Sequence, residues 1–229
     1  MTQNYRQAIK QKLASDDVET RWWAVREIKE GGYVDLLPAL FEALQDPSPR
    51  IRLSAAGAIG TLGISSSIEH LSASLASDSD PKVRSACAVA LREAGDSGLQ
   101  DALGTAIYDY DEQVVISAIH SLVETHSVSP VHQLAALLGH ESWKVRLNCC
   151  QALVKLRYVT PLVVDAINQL RQDPLAAEYD AQIAEFWESN SEKFDGIKND
   201  AGVFDLGELE EAATEIYASN TKVQLRFEM

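Results

Sequence analysis

The sequence predicts an all-α fold, a right-handed α-solenoid of five to six helix pairs with a non-repeat acidic C-terminal tail. Three observations carry this. One pattern recurs at Arg21, Arg52, Arg84, Val115 and Arg146, at intervals of 31, 32, 31 and 31 residues. A small residue stands three positions after each of these anchors: Ala24, Ala55, Cys87, Ala118 and Cys149. An aliphatic one stands seven positions after: Ile28, Ile59, Leu91, Leu122 and Leu153. Offsets of three and seven lie on one helical stripe, so each stretch presents a narrow seam to a neighbour. A lone helix pair cannot bury that seam, and stacked copies must supply the rest of the core.

The second repeat shows the elements of one unit. Leu36, Leu37, Leu40, Phe41 and Leu44 fall at helical spacing and define its first helix. Asp46-Pro47-Ser48-Pro49 ends that helix, because proline lacks an N–H and biases the residue before it away from the helical region. A second helix runs from Arg50 to Leu62, with Gly63 placed to cap it in the left-handed conformation. The third repeat restates the unit with Ile68, Leu71 and Leu75, a corner at Asp80-Pro81, and Val83 to Leu91. The fifth uses Val131, Leu134 and Leu138, then Val145 to Leu153.

A corner Asp-Pro, then Val-Arg, then paired small residues and an aliphatic, repeated near every thirty residues, resembles the HEAT repeat. More narrowly it is similar to the short bacterial HEAT-like repeat of phycobilin lyases. The resemblance covers Ser15 to Arg157 well and Thr160 to Trp187 loosely. It implies a solenoid whose second helices line the concave side. For function it implies a non-enzymatic adaptor or chaperone-like scaffold that holds a protein partner on that side. The alternative it implies is a phycobilin lyase-like protein binding an open-chain tetrapyrrole and a phycobiliprotein subunit, the one enzyme class in view.

Residues two and five positions after each anchor are expected on the concave face. In order they are Trp23 and Arg26, Ser54 and Gly57, Ala86 and Val89, Ser117 and His120, Asn148 and Gln151. Trp23, Arg26, His120, Asn148 and Gln151 are the candidate binding residues, since tryptophan and arginine are enriched among interface hot spots. The arginine row itself has two readings. It is either an anion-binding row or a structural ladder, each arginine pairing with a corner aspartate such as Asp16, Asp17, Asp46, Asp78 or Asp80 and tying one repeat to the next. Val115 interrupts it in the fourth repeat.

No glycine-rich phosphate loop, Cys-x-x-Cys or His-Glu-x-x-His is present in the sequence. A nucleophile pair from Cys149 or Cys150 with His140 is conceivable, yet packing alone explains small residues there. His120, His126 and His132 are spaced across a helix end and fall on different faces. No catalytic residue, metal or cofactor is therefore expected. All three cysteines sit at small-residue positions and read as reduced thiols of a cytoplasmic protein. No apolar run is long enough to span a membrane, and Met1 to Tyr5 lacks the opening of a signal peptide.

The 229 residues carry a net charge of −14. From Asp173 to Met229 there are 14 acidic and 4 basic residues, a net of −10. No basic stripe exists to neutralise phosphates, so a nucleic-acid partner is not expected. The repeats are assigned to residues 1–188 and a capping or docking tail to 189–229. In that tail Leu206, Leu209, Ala213 and Ile216 suit a short acidic helix, and Val223 to Met229 alternates like a strand. The tail either covers the open end of the stack or docks on another protein or a second copy by strand addition.

Overall fold

The computed structural model describes residues 3–95, 99–125, 130–156, 158, 160–170 and 188–189. Among these every regular element is helical, as an all-α solenoid requires. Of the tail assigned to residues 189–229, all but Ser189 falls outside the described residues. By contacts the chain divides into two units, residues 1–127 and 128–229.

The first unit contains α1 (Gln3–Leu13), α2 (Val18–Gly31), α3 (Leu37–Ala43), α4 (Pro49–Leu62), α5 (Ile68–Ser77), α6 (Pro81–Ala94), α7 (Leu99–Ala106) and α8 (Glu112–Glu124). Even-numbered helices are the second members of their pairs. They form a continuous layer in which α2 packs on α4, α4 on α6 and α6 on α8, each backed by its odd-numbered partner. The second unit holds α9 (Val131–Ala136), α10 (Trp143–Lys155) and α11 (Pro161–Leu170), with α10 packed against both others.

Local chemistry sets the helix ends. Asp17, Asp80 and Asp111 stand in extended conformation and accept backbone N–H bonds from the first turns of α2, α6 and α8. Proline opens α4 and α6, where its missing N–H leaves nothing unsatisfied. Gly63 ends α4 at φ 62°, and its N–H bonds back to Ile59 and Gly60 carbonyls.

The residues three and seven after each anchor form the core as expected. Ala24, Ala55, Cys87, Ala118, Cys149, Ile28, Ile59, Leu91 and Leu153 are wholly buried, and Leu122 nearly so. Burial of each large aliphatic contributes roughly 1.5–3 kcal/mol. Phe41, counted in the first-helix stripe, is only half-buried and stacks on His70 with centroids 3.8 Å apart.

The arginine row is a structural ladder. Arg21 holds Asp46 through Nε and Nη2 at 2.7 and 3.0 Å. Arg52 holds Asp78 at 2.7 and 2.8 Å, and Arg84 holds Asp109 at 2.7 and 2.8 Å. Each aspartate belongs to the corner of the following repeat, 25 or 26 residues downstream. On its own corner the arginine donates not to a carboxylate but to main-chain carbonyls: Arg21 to Ser15 and Asp16, Arg52 to Asp46 and Pro47, Arg84 to Asp78. Arg146 repeats this local half, donating to the His140 and Glu141 carbonyls. Because the rungs join the N-terminal ends of adjacent second helices, those helices run in the same direction. The layer therefore has one edge of helix N-termini and one of C-termini.

Burial alone would raise the Asp46 and Asp78 carboxyls. Hydrogen bonds from Arg21 and Arg52, and from the Ser48 and Asp80 N–H groups, outweigh it and leave both below the usual carboxylate range. A carboxyl depressed by folding adds stability above its unfolded value and loses it as pH falls through the folded one. The Asp46 and Asp78 rungs are thus intact at neutral pH and fail in acid, below the ordinary aspartate value of about 3.9. Asp78→Asn is expected to cost about 3 kcal/mol at pH 7 and to flatten the acid limb of the stability curve, as for a broken buried pair. Chemical denaturation across pH checks both; unchanged stability would remove the rung from the account.

Gly60 permits a close approach of α4 to α6. A Cβ there would lie 2.8 Å from Ala90 Cα and 2.9 Å from its Cβ. Gly60→Ala must push α4 and α6 apart, and a loss of about 1–3 kcal/mol is expected despite the better helix propensity of alanine. Thermal melts of the variant measure it.

A candidate binding surface on the second helices

Each second helix of the first unit gives its three- and seven-offset residues to the core and, Ser117 apart, turns the one-, two-, five- and nine-offset residues outward. On α2 these are Trp22, Trp23, Arg26 and Glu30. The two indoles meet edge-on with centroids 4.9 Å apart. Trp23 is 53 % exposed, the largest outward apolar group on this face. The Arg26 guanidinium lies 5.0 Å from the Trp23 ring and 5.6 Å from Trp22. It is tethered by Glu30 one turn on, at 2.5 Å. Arg50 reaches from the start of α4 to 4.8 Å above Trp22 and pairs with Glu19. Indole faces attract guanidinium groups through the ring quadrupole, and the contacts fix otherwise mobile arginines.

Next to this wall the face is lower. Leu53 is exposed on α4, with Ser54 and Gly57 half-buried beside it. On α6, Ser85 and Ala86 are half-buried and Val89 is exposed. On α8, Ile116 is half-buried and His120 exposed. Ser117, expected to project outward, is instead buried, and its hydroxyl lies 2.7 Å from that of Ser85. The sequence-derived residues Trp23, Arg26 and His120 thus share one layer, the first two in contact. Asn148 and Gln151 are half-buried on α10 of the second unit, where Asn148 donates to the Lys144 carbonyl one turn back. Trp22, Arg50 and Leu53 were missed by the two-and-five rule. The one-offset row would have found Trp22 and Leu53.

The cysteines are placed for packing. Cys87, Cys149 and Cys150 are wholly buried, and burial pushes the Cys87 and Cys150 thiols up to about 12 and Cys149 higher still. A thiol so protonated is a poor nucleophile. The His140 Nδ1 accepts from the Ser142 N–H, a turn-stabilising bond. Among the described residues no group of three or more His, Cys, Asp or Glu is arranged to hold a metal ion, and His126 lies outside them. No described helix is long and apolar enough to cross a membrane.

The chain matches the family model of HEAT repeats over residues 7–92 and that of the single HEAT repeat over 131–156. Among curated protein sequences none matches. The complex of CpcE and CpcF of phycocyanin lyase from Nostoc sp. PCC7120 is similar in structure, with TM-score 0.55 at 19% identity, over 72% of this chain and 70% of that one. The MAST/Orbit N-terminal domain is similar with TM-score 0.52 at 19% identity, over 83% of this chain and 96% of that one. An engineered protein is similar with TM-score 0.50 at 19% identity, over 77% and 93%. At these identities the likeness is one of fold.

If the thiols serve packing, a maleimide at pH 8 should leave the native protein unlabelled and label all three cysteines once denatured. Mass spectrometry of the two samples reads this directly; rapid native labelling at Cys149 or Cys150 would reopen a nucleophilic role.

Proposed function

We propose that this chain, whose helix pairs are HEAT repeats over residues 7–92 and 131–156, is a non-enzymatic protein-binding adaptor or chaperone-like scaffold. Its binding surface is the outward face of the second helices, the side that such repeats make concave. The observation that carries the reading is the Trp22–Trp23–Arg26–Arg50 cluster. It is a large, outward-facing group, while Ala24, Val25 and Ile28 of the same helix are buried in the core beneath it. Aromatic side chains held by stacked arginines enter an interface with little conformational entropy left to lose. His120 is assigned to the same surface, and Asn148 and Gln151 on α10 are a separate candidate of the second unit.

The test is a binding measurement against a partner co-purified from the native source. Trp23→Ala with Arg26→Ala is expected to weaken it by about 2 kcal/mol or more, roughly thirtyfold. Unchanged affinity with unchanged melting temperature places the site elsewhere.

The same cluster favours a second reading as a phycobilin lyase-like protein, since paired indoles and two guanidiniums suit a flat tetrapyrrole bearing carboxylates. Adding an open-chain bilin and following its absorption band distinguishes the two. A shift abolished by Trp23→Ala supports the second reading; an unperturbed spectrum leaves the scaffold.

A further inference from the structure

Helix α4 contains two interior glycines with opposite explanations. Gly60 is required by Ala90. Gly57 is required by nothing inside the fold, because a Cβ there would meet no atom within 4 Å. An interior helical glycine is disfavoured by about 1 kcal/mol against alanine. Its position on the outward face, between Arg26 of α2 and Val89 of α6, points to a requirement from outside. Around it stand the apolar groups that the fold leaves partly uncovered: Trp23 at 53 % exposure, Leu53 and Val89 at 37 % each, with Trp22 and Ile116 half-buried.

Acidic side chains stand along both edges of this apolar strip, with Arg26, Lys29 and Arg92 among those of the C-terminal edge. Along the C-terminal edge, Glu30, Glu93 and Glu124 occupy the last turns of α2, α6 and α8 with side chains 61%, 50% and 42% exposed. Anions are disfavoured there by the helix dipole. Their present partners are Arg26 and Arg92, in surface pairs worth no more than about 1 kcal/mol and therefore exchangeable. Along the N-terminal edge stand Asp17, Glu19, Asp80, Asp111 and Glu112, with Arg50 and Lys82 between them. Residues 1–127 as a whole carry 18 acidic and 11 basic side chains, three of each being paired in the ladder.

We propose that the outward face of α2, α4, α6 and α8 receives a basic amphipathic helix of a partner protein, its apolar stripe passing over Gly57 and its cations reaching the two acidic edges. This rests on the binding reading above and names the chemistry of the partner. Charge complementarity selects a basic occupant. Geometry selects a helix: apolar groups must point down while cations point to both sides. A strand projects side chains in only two directions, whereas a helix projects them all round. One heptad rises about 10.5 Å, close to the roughly 8–10 Å between packed helices, so successive heptads meet successive second helices.

The probes are two synthetic helical peptides of about 18 residues, long enough at ~27 Å to cross the four helices. Both carry leucine at i, i+3, i+4 and i+7; one has lysine and the other glutamate elsewhere. Binding to the full chain is read by tryptophan fluorescence and calorimetry. The lysine peptide is expected to bind, and Gly57→Leu to weaken it at least tenfold without lowering the melting temperature. Gly57→Ala should raise the melting temperature, which checks that the glycine is not held by packing. Glu93→Gln with Glu124→Gln should weaken binding and its salt dependence, while Glu69→Gln with Asp101→Gln on the first helices should do neither. Failure of the lysine peptide to bind, or binding indifferent to Gly57→Leu, overturns the inference. If the glutamate peptide binds instead and Gly57→Leu abolishes it, the face remains a binding surface and only the basic partner falls.

Discussion

The Arg–Asp rung is the contact on which the architecture depends. A helix corner leaves main-chain carbonyls without intrahelical partners, and a solenoid brings one such corner to every repeat. The anchor arginine fills that need on its own corner. With the rest of its planar fork it grips the next corner's aspartate in a bidentate pair. The aspartate in turn accepts the N–H two residues on, as Asp46 does from Ser48, Asp78 from Asp80 and Asp109 from Asp111. One side-chain pair therefore orders two turns and the distance between them. Arg21 and Asp46 are 12% and 9% exposed, so the pair also meets a desolvation cost that only its full set of bonds offsets.

Where the arginine changes, its partner position changes with it. The anchor of the fourth repeat is Val115, wholly buried, and the position 25 residues later is His140 rather than an aspartate. His140 keeps half of the role: its Nδ1 takes the Ser142 N–H that a carboxylate takes in the other corners. His140 thus preserves the turn of its own corner without a carboxylate.

Core and surface are separable because one helix serves both. With 3.6 residues per turn, the positions three and seven after an anchor return to the seam while most of those one, two, five and nine after it stay outside. The seam is uniform from repeat to repeat. The outward rows are not: they run from indoles on α2 to Leu53, Ser54 and Gly57 on α4, Ala86 and Val89 on α6, and His120 on α8. The two glycines of α4 lie on either side of this division, three residues apart.

The sequence by itself determined the repeat, the helical class, the corners and the core, because each follows from spacing along a chain whose helical period is fixed. Gly63 was readable as a cap and the cysteines as packing residues for the same reason. Tertiary structure alone decided which aspartate each arginine holds. The acidic residues nearest in sequence stand on the arginine's own corner, and the bidentate partner comes from the next repeat once stacking brings it near. It also decided that Ser117 is buried against Ser85, that Arg50 belongs with Trp22, and that Gly57 faces open space while Gly60 faces Ala90. Those are distances between helices, and no period within a single helix encodes them.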